Sequence, residues 1–233
     1  MKKVIVVAAA ALALLGTHLT GTASAETPLC GPPGGQVPAT IVGAGTILGT
    51  SGDDVILGSS GADSILGRGG HDIICGEGGN DWANGGSGRD VLIGDPIDLP
   101  PFAPTNGNND DTLIGGEGAD ELAGLGGDDT LTGNGNNDTL IGFGGNDTIA
   151  GGSGHDTAFG GPLDDSINGN DGSDTLFGNF GSDTIRGGAG SDFIDGDNPF
   201  PPPDPLPFPP GTNNDTCHGG PGTNTVLNCE VLL

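Results

Sequence analysis

Between Gly115 and Asp195 the chain consists of nine unbroken blocks of nine residues, from GGEGADELA to GGAGSDFID. Every block opens with Gly, carries Asp at its sixth place and an apolar residue at its eighth. A short fixed period makes each repeat adopt the same conformation and stack on its neighbours. That points to a solenoid, in which no single repeat can bury its apolar face alone. The frame extends in both directions. It begins at Gly49, with sixth-place Asp54, Asp63, Asp72, Asp81 and Asp90. Twelve inserted residues follow, and the frame then resumes with Asp111, Asp120, Asp129, Asp138, Asp147, Asp156, Asp165, Asp174, Asp183 and Asp192. After 14 more inserted residues come Asp215 and a last unit with Asn224 in the Asp place, making 17 units, 16 of them with Asp.

Each place has a physical reading. Gly at places one, two and four permits φ > 0 and close approach of the backbone to a ligand, so places one to six form a turn. Places seven to nine are extended, and Thr, Val, Ile and Leu suit a strand. Side chains alternate along a strand, so only place eight faces inward, from Ile56 to Val226. One buried aliphatic side chain in nine residues does not offset the ordering of nine residues of backbone. A second source of stability is required. Turn carbonyls and Asp carboxylates are hard oxygen donors suited to Ca²⁺, which accepts six to eight of them in flexible geometry. His71 and His155 sit at place five, distant in sequence and without a Cys partner, and read as solvated turn residues.

The blocks GGxGxDxUx resemble the hemolysin-type calcium-binding repeats of the RTX family over about residues 49–227. The resemblance implies an all-β fold, a parallel β-roll (a right-handed β-solenoid) with two nonapeptides per coil. It implies several Ca²⁺ ions between turns on the same edge, held by the sixth-place carboxylates and by carbonyls of the glycine-rich turns. The metal ligands it implies are all 16 aspartates named above. Alternation puts Asp54, Asp72, Asp90, Asp120, Asp138, Asp156, Asp174 and Asp192 on one edge. The other edge takes Asp63, Asp81, Asp111, Asp129, Asp147, Asp165, Asp183 and Asp215. Both insertions, proline-rich and leaving at Gly-Asp, then depart from one edge as two prongs. They stand five coils apart, roughly 24 Å at about 4.8 Å per coil. Three features depart from the pattern: Pro162-Leu163 in one turn, Asn136 at a fourth place, and units returning from the insertions without a first Gly. Leu rarely adopts φ > 0, so altered calcium contacts are expected near Asp165, and likewise near Asp111 and Asp215.

Lys2 and Lys3, the apolar run Val4–Leu15 and Ala23-Ser24-Ala25 read as a secretory signal peptide cleaved after Ala25. The run is too short to span a bilayer. Residues 26–233 keep three arginines against all 31 acidic residues, a net charge of −28. That excludes nucleic acid and anionic membrane as electrostatic partners. It would read as disorder were the Asp spacing not regular. Four cysteines in an exported chain suggest two disulfides. Of three connectivities, Cys30–Cys75 with Cys217–Cys229 is favoured because each pair lies at one end of the array. The organisation expected is a signal peptide at 1–25, an N-terminal cap at 26–48, the β-roll at 49–227 with loops at about 95–106 and 197–210, and a C-terminal cap at 228–233.

No H-E-x-x-H or G-x-S-x-G motif occurs, and pairs such as Asp53-Asp54 and Asp128-Asp129 are turn residues, so no catalytic residue is assigned and no enzyme is expected. The expected protein is secreted from a bacterial cell and folds on Ca²⁺, with an extracellular structural or binding role and no membrane insertion. The alternative is an adhesin or ligand-binding solenoid, meeting a cell-surface or extracellular partner through the proline-rich loops. It could instead use the seventh-place face of Thr130, Thr139, Thr148, Thr157, Thr175 and Thr184, interrupted by Ser166.

Overall fold

The computed structural model describes residues 29–30, 37–96, 109–197, 214–229 and 231–232. Residues 1–25, the expected signal peptide, and the bodies of both insertions lie outside the described residues. What is described is a parallel β-roll. Strands are numbered β1 to β22 along the chain. Two ten-stranded sheets alternate in sequence, one holding the odd strands from β3 (Ile41–Val42) to β21 (Thr225–Leu227). The other holds the even strands from β4 (Thr46–Leu48) to β22 (Val231–Leu232). Each nonapeptide contributes one strand, so two nonapeptides complete one coil.

The register carries the repeat from coil to coil. Leu113 pairs with Leu131, Leu131 with Ile149, Ile149 with Ile167 and Ile167 with Ile185. The insertions do not disturb it: Ala83 pairs with Leu113 across the first, and Ile185 with Cys217 across the second. Place-eight side chains of both sheets meet in one buried ladder from Ile56 to Cys217, extended at its start by Ile47 and flanked at its end by the partly buried Val226. At the start of the array, β3 and β4 stack on the first two nonapeptides, Ile41 against Ile56 and Ile47 against Ile65.

Both disulfides are those favoured from sequence, Cys30–Cys75 and Cys217–Cys229. The first ties a short antiparallel hairpin, β1 (Leu29–Cys30) with β2 (Val37–Pro38), to the outside of the odd sheet. A second apolar cluster forms there, with Cys30, Cys75 and Ile93 buried among Val55, Leu57, Ile73, Val91 and Leu125. Place eight is therefore not the only apolar position buried; under the hairpin, outward-facing residues are covered too. Farther along this outer face Phe159 and Phe177 stack with centroids 4.8 Å apart.

The insertions leave from β9 (Val91–Ile93) and β19 (Phe193–Asp195) in the odd sheet and re-enter at β10 (Thr112–Glu117) and β20 (Thr216–His218) in the even sheet. Both thus depart from the same edge, five strands apart in the sheet order. The seventh-place threonines do not form one face. Thr130, Thr148, Ser166 and Thr184 align on the even sheet, whereas Thr139, Thr157 and Thr175 align on the odd one, because consecutive repeats enter opposite sheets.

Candidate metal centre

Every sixth-place Asp lies at the entry to a strand with its side chain buried, from 7% exposed at Asp54 to 0% at Asp90 and Asp215. One carboxylate oxygen is engaged by the chain. The N–H of Asp54 donates to Asp72 Oδ1 (2.9 Å), that of Asp72 to Asp90 Oδ1 (2.8 Å), and that of Asp90 to Asp120 Oδ1 across the first insertion (2.8 Å). The ladder runs on through Asp138, Asp156, Asp174 and Asp192 to Asn224. On the opposite edge Asp63, Asp81, Asp111, Asp129, Asp147, Asp165, Asp183 and Asp215 are joined in the same way. The two columns are those expected from alternation.

The other oxygen, Oδ2, is buried without a hydrogen-bond partner in fourteen of the sixteen, from Asp72 to Asp215. A buried carboxylate oxygen left unpaired is strongly unfavourable. Burial accordingly raises these carboxyls: Asp72, Asp81, Asp90 and Asp174 to about 6, Asp138, Asp147 and Asp183 to about 7, and Asp111 to about 8. Asp129 and Asp165 are pushed up to about 9 and about 10. The N–H from the preceding coil opposes the rise, and mostly neighbouring carboxylates add to it. Asp120 and Asp156 are raised by burial as well, with Arg89 and His155 nearby acting in the opposite sense.

The surroundings of Oδ2 are oxygen-rich and tight. A methyl carbon placed on Gly115 would stand 2.5 Å from Asp120 Oδ2 and 3.0 Å from the Gly133 carbonyl oxygen; on Gly151, 2.5 Å from Asp156 Oδ2 and 2.8 Å from the Gly169 oxygen. First-place glycine is needed for that space, since its φ is not in the left-handed region. Places two and four do take positive φ, as at Gly116 and Gly118 (118° and 149°). At place two this is imposed even on Arg68, Glu77, Leu125 and Phe143. Leu163 adopts φ 84° in the fourth-place position, and Asp165, Asp111 and Asp215 stand in their ladders like the rest. Among the described residues, the ladder hydrogen bonds at those three units are kept.

A second ladder runs along place five. Place-five side chains accept the place-five N–H of the next coil: Asp53 from His71 (2.8 Å), His71 Nδ1 from Arg89 (2.7 Å), Asn137 from His155 (2.9 Å) and His155 Nδ1 from Ser173 (2.9 Å). The two histidines are exposed, yet they serve as acceptors in this column. Its sequence signal was the run of Asp, Asn, His and Ser at place five.

Among the described residues no three His, Cys, Asp or Glu side chains converge. A cation here would draw on one carboxylate per turn together with backbone carbonyls, a hard, anionic donor set that fits Ca²⁺ and gives a soft metal nothing to bind. Calcium bound there would supply the positive charge that the buried Oδ2 atoms lack. Fold and site together define a parallel β-roll with a column of buried carboxylates on each edge. The sequence matches the family described as RTX calcium-binding nonapeptide repeat (4 copies) over residues 48–83, 76–96, 105–140, 124–158, 141–176 and 159–194. The chain belongs to this family and is a calcium-binding β-roll protein. No curated protein matches it.

Proposed function

We propose that the chain is exported through its N-terminal signal and works outside the cell as a calcium-folded β-roll, a structural or binding element without catalytic activity. The observation that carries this reading is the set of fourteen buried, unpartnered carboxylate oxygens. They make the fold conditional on calcium, and extracellular calcium modules work at about 10⁻⁴–10⁻³ M. The two disulfides support the same compartment. The adjacent acidic pairs support a non-catalytic role. Asp129 is committed to the buried ladder and Asp128 accepts the Asn146 N–H, so neither is held ready for proton transfer. Cell fractionation with intact-mass measurement tests the reading: protein outside the cell beginning at Glu26 is expected, and cytoplasmic protein retaining residues 1–25 would contradict it.

A second reading, attachment to an extracellular partner through the proline-rich insertions, draws on their departure from a single edge. It predicts that a chain lacking residues 97–108 and 199–212 keeps its calcium and stability but loses retention at the surface it binds. Unchanged retention counts against it.

A further inference from the structure

Two of the sixteen aspartates differ from the others. In the Asp54 turn, Oδ2 accepts the Thr50 N–H (2.6 Å) and the Thr50 hydroxyl (2.9 Å). In the Asp63 turn it accepts the Ser59 N–H (2.6 Å) and the Ser59 hydroxyl (3.0 Å). The hydroxyl oxygens in turn accept the N–H groups of Gly52 (3.1 Å) and Gly61 (3.3 Å). The backbone differs accordingly. Thr50, Gly52, Ser59 and Gly61 all stay outside the left-handed region, whereas from Arg68 (φ 86°) and Gly70 (φ 110°) onward the turns not interrupted by an insertion use it at places two and four. Thr50 and Ser59 are the only hydroxyl residues at place two among the described turns. These two turns are the first in their respective columns.

The last turn of one column is closed by other means. Asn224 keeps the ladder bond, its Oδ1 accepting the Asp192 N–H (2.8 Å). It also keeps the positive φ at places two and four, Gly220 (77°) and Gly222 (145°). Where the other units carry Oδ2 it carries Nδ2, which donates to the Gly220 carbonyl (2.9 Å). A neutral amide donor thus fills a position that in the Asp turns sets a carboxylate oxygen beside an oxygen-lined cradle.

We propose that the calcium-dependent part of the roll is bounded by three turns that the chain closes with its own hydrogen bonds: Thr50–Asp54 and Ser59–Asp63 at the start, Asn224 at the end. Asp54, Asp63 and Asn224 are not calcium ligands in this assignment. The reason lies in the stacking. A terminal turn has another glycine-rich nonapeptide turn on one side only and would hold a shared cation least well. Closure by hydroxyl or amide removes the unpaired oxygen without needing an ion. The two disulfides fall at the same ends, and both ends of one column and the start of the other are closed without calcium.

The assignment rests on the calcium reading above, and one experiment separates the two. Calcium bound at saturation is counted by native mass spectrometry for the full chain, for the Asp54→Asn/Asp63→Asn double variant and for Asp129→Asn. The double variant is expected to bind as many ions as the unaltered chain, and Asp129→Asn at least one fewer. A lower count in the double variant overturns the proposal alone; an unaltered chain that binds no calcium overturns the calcium reading and the proposal with it. Hydrogen exchange of the unaltered chain in chelator is the second measurement, independent of any variant. Residues 46–66 and 216–227 are expected to remain protected after 112–195 have lost protection. Loss that starts at the ends contradicts the assignment.

Discussion

At Gly115 a methyl group would press on both Asp120 Oδ2 and the Gly133 carbonyl of the next coil, whereas at Gly61 an added Cβ meets nothing within 4 Å. The same substitution therefore has opposite consequences at two glycines of one motif. Gly115→Ala is expected to lower the stability of the calcium-loaded protein by about 1–3 kcal/mol, as overpacking does, and to weaken calcium binding. Gly61→Ala should stay within about 0.5 kcal/mol of the unaltered protein. Thermal melts in saturating calcium compare the two. The carboxyls carry a pH dependence whose sign follows from burial. Their folded-state values, about 6 to about 10, lie above the ordinary carboxylate value of about 3.9. Each contributes most below its unfolded value and loses that contribution as pH rises through its folded one. Calcium-depleted protein should therefore gain β circular dichroism as pH is lowered from 7.5 to 5. Calcium-loaded protein should release its ions over the same range, since protons and calcium compete for the same oxygens. A calcium-free spectrum that does not change with pH would contradict this.

At the scale of the turn and strand, much could be read from the repeat, and what escaped has physical causes. Sixth-place Asp and eighth-place Ile or Leu announced the ladders and the core because each repeats one side chain at one position. The split of the threonines onto two sheets also follows from alternation, but a column of identical letters conceals it. The place-five ladder was harder to see, since Asp, Asn, His and Ser share only an acceptor atom. The cluster around Cys30 and Ile93 depends on a hairpin outside the period. The two ladders should differ in weight. Asp128→Ala removes one exposed acceptor, that of the Asn146 N–H, and should cost no more than about 1 kcal/mol. Asp129→Ala, one residue later, removes a buried carboxylate and should reduce the calcium bound. The insertions are additions to an intact frame. Asp95 and Asn109, joined by a 2.6 Å hydrogen bond, hold the mouth of the first, and Ala83 and Leu113 stay in register across it. Deleting residues 97–108 restores nine-residue spacing between Asp90 and Asp111. The shortened chain should retain its β signal and melting temperature in calcium to within a few degrees; collapse of the fold would show the loop to be structural.

For the whole molecule, two narrow sheets share one line of aliphatic side chains, while two columns of buried carboxylates line the edges. The apolar line sets the register, and on the proposed reading the columns make the fold conditional, because metal-binding free energy becomes folding free energy where the site exists only in the folded chain. A net charge of −28 on residues 26–233 acts in the same direction, favouring an expanded chain until cations neutralise it. The most direct test is far-ultraviolet circular dichroism of the purified chain from Glu26 onward at pH 7.5, in chelator and then in millimolar calcium. The account predicts a largely disordered spectrum that converts to β structure as calcium is added; the same β spectrum in both conditions would contradict it.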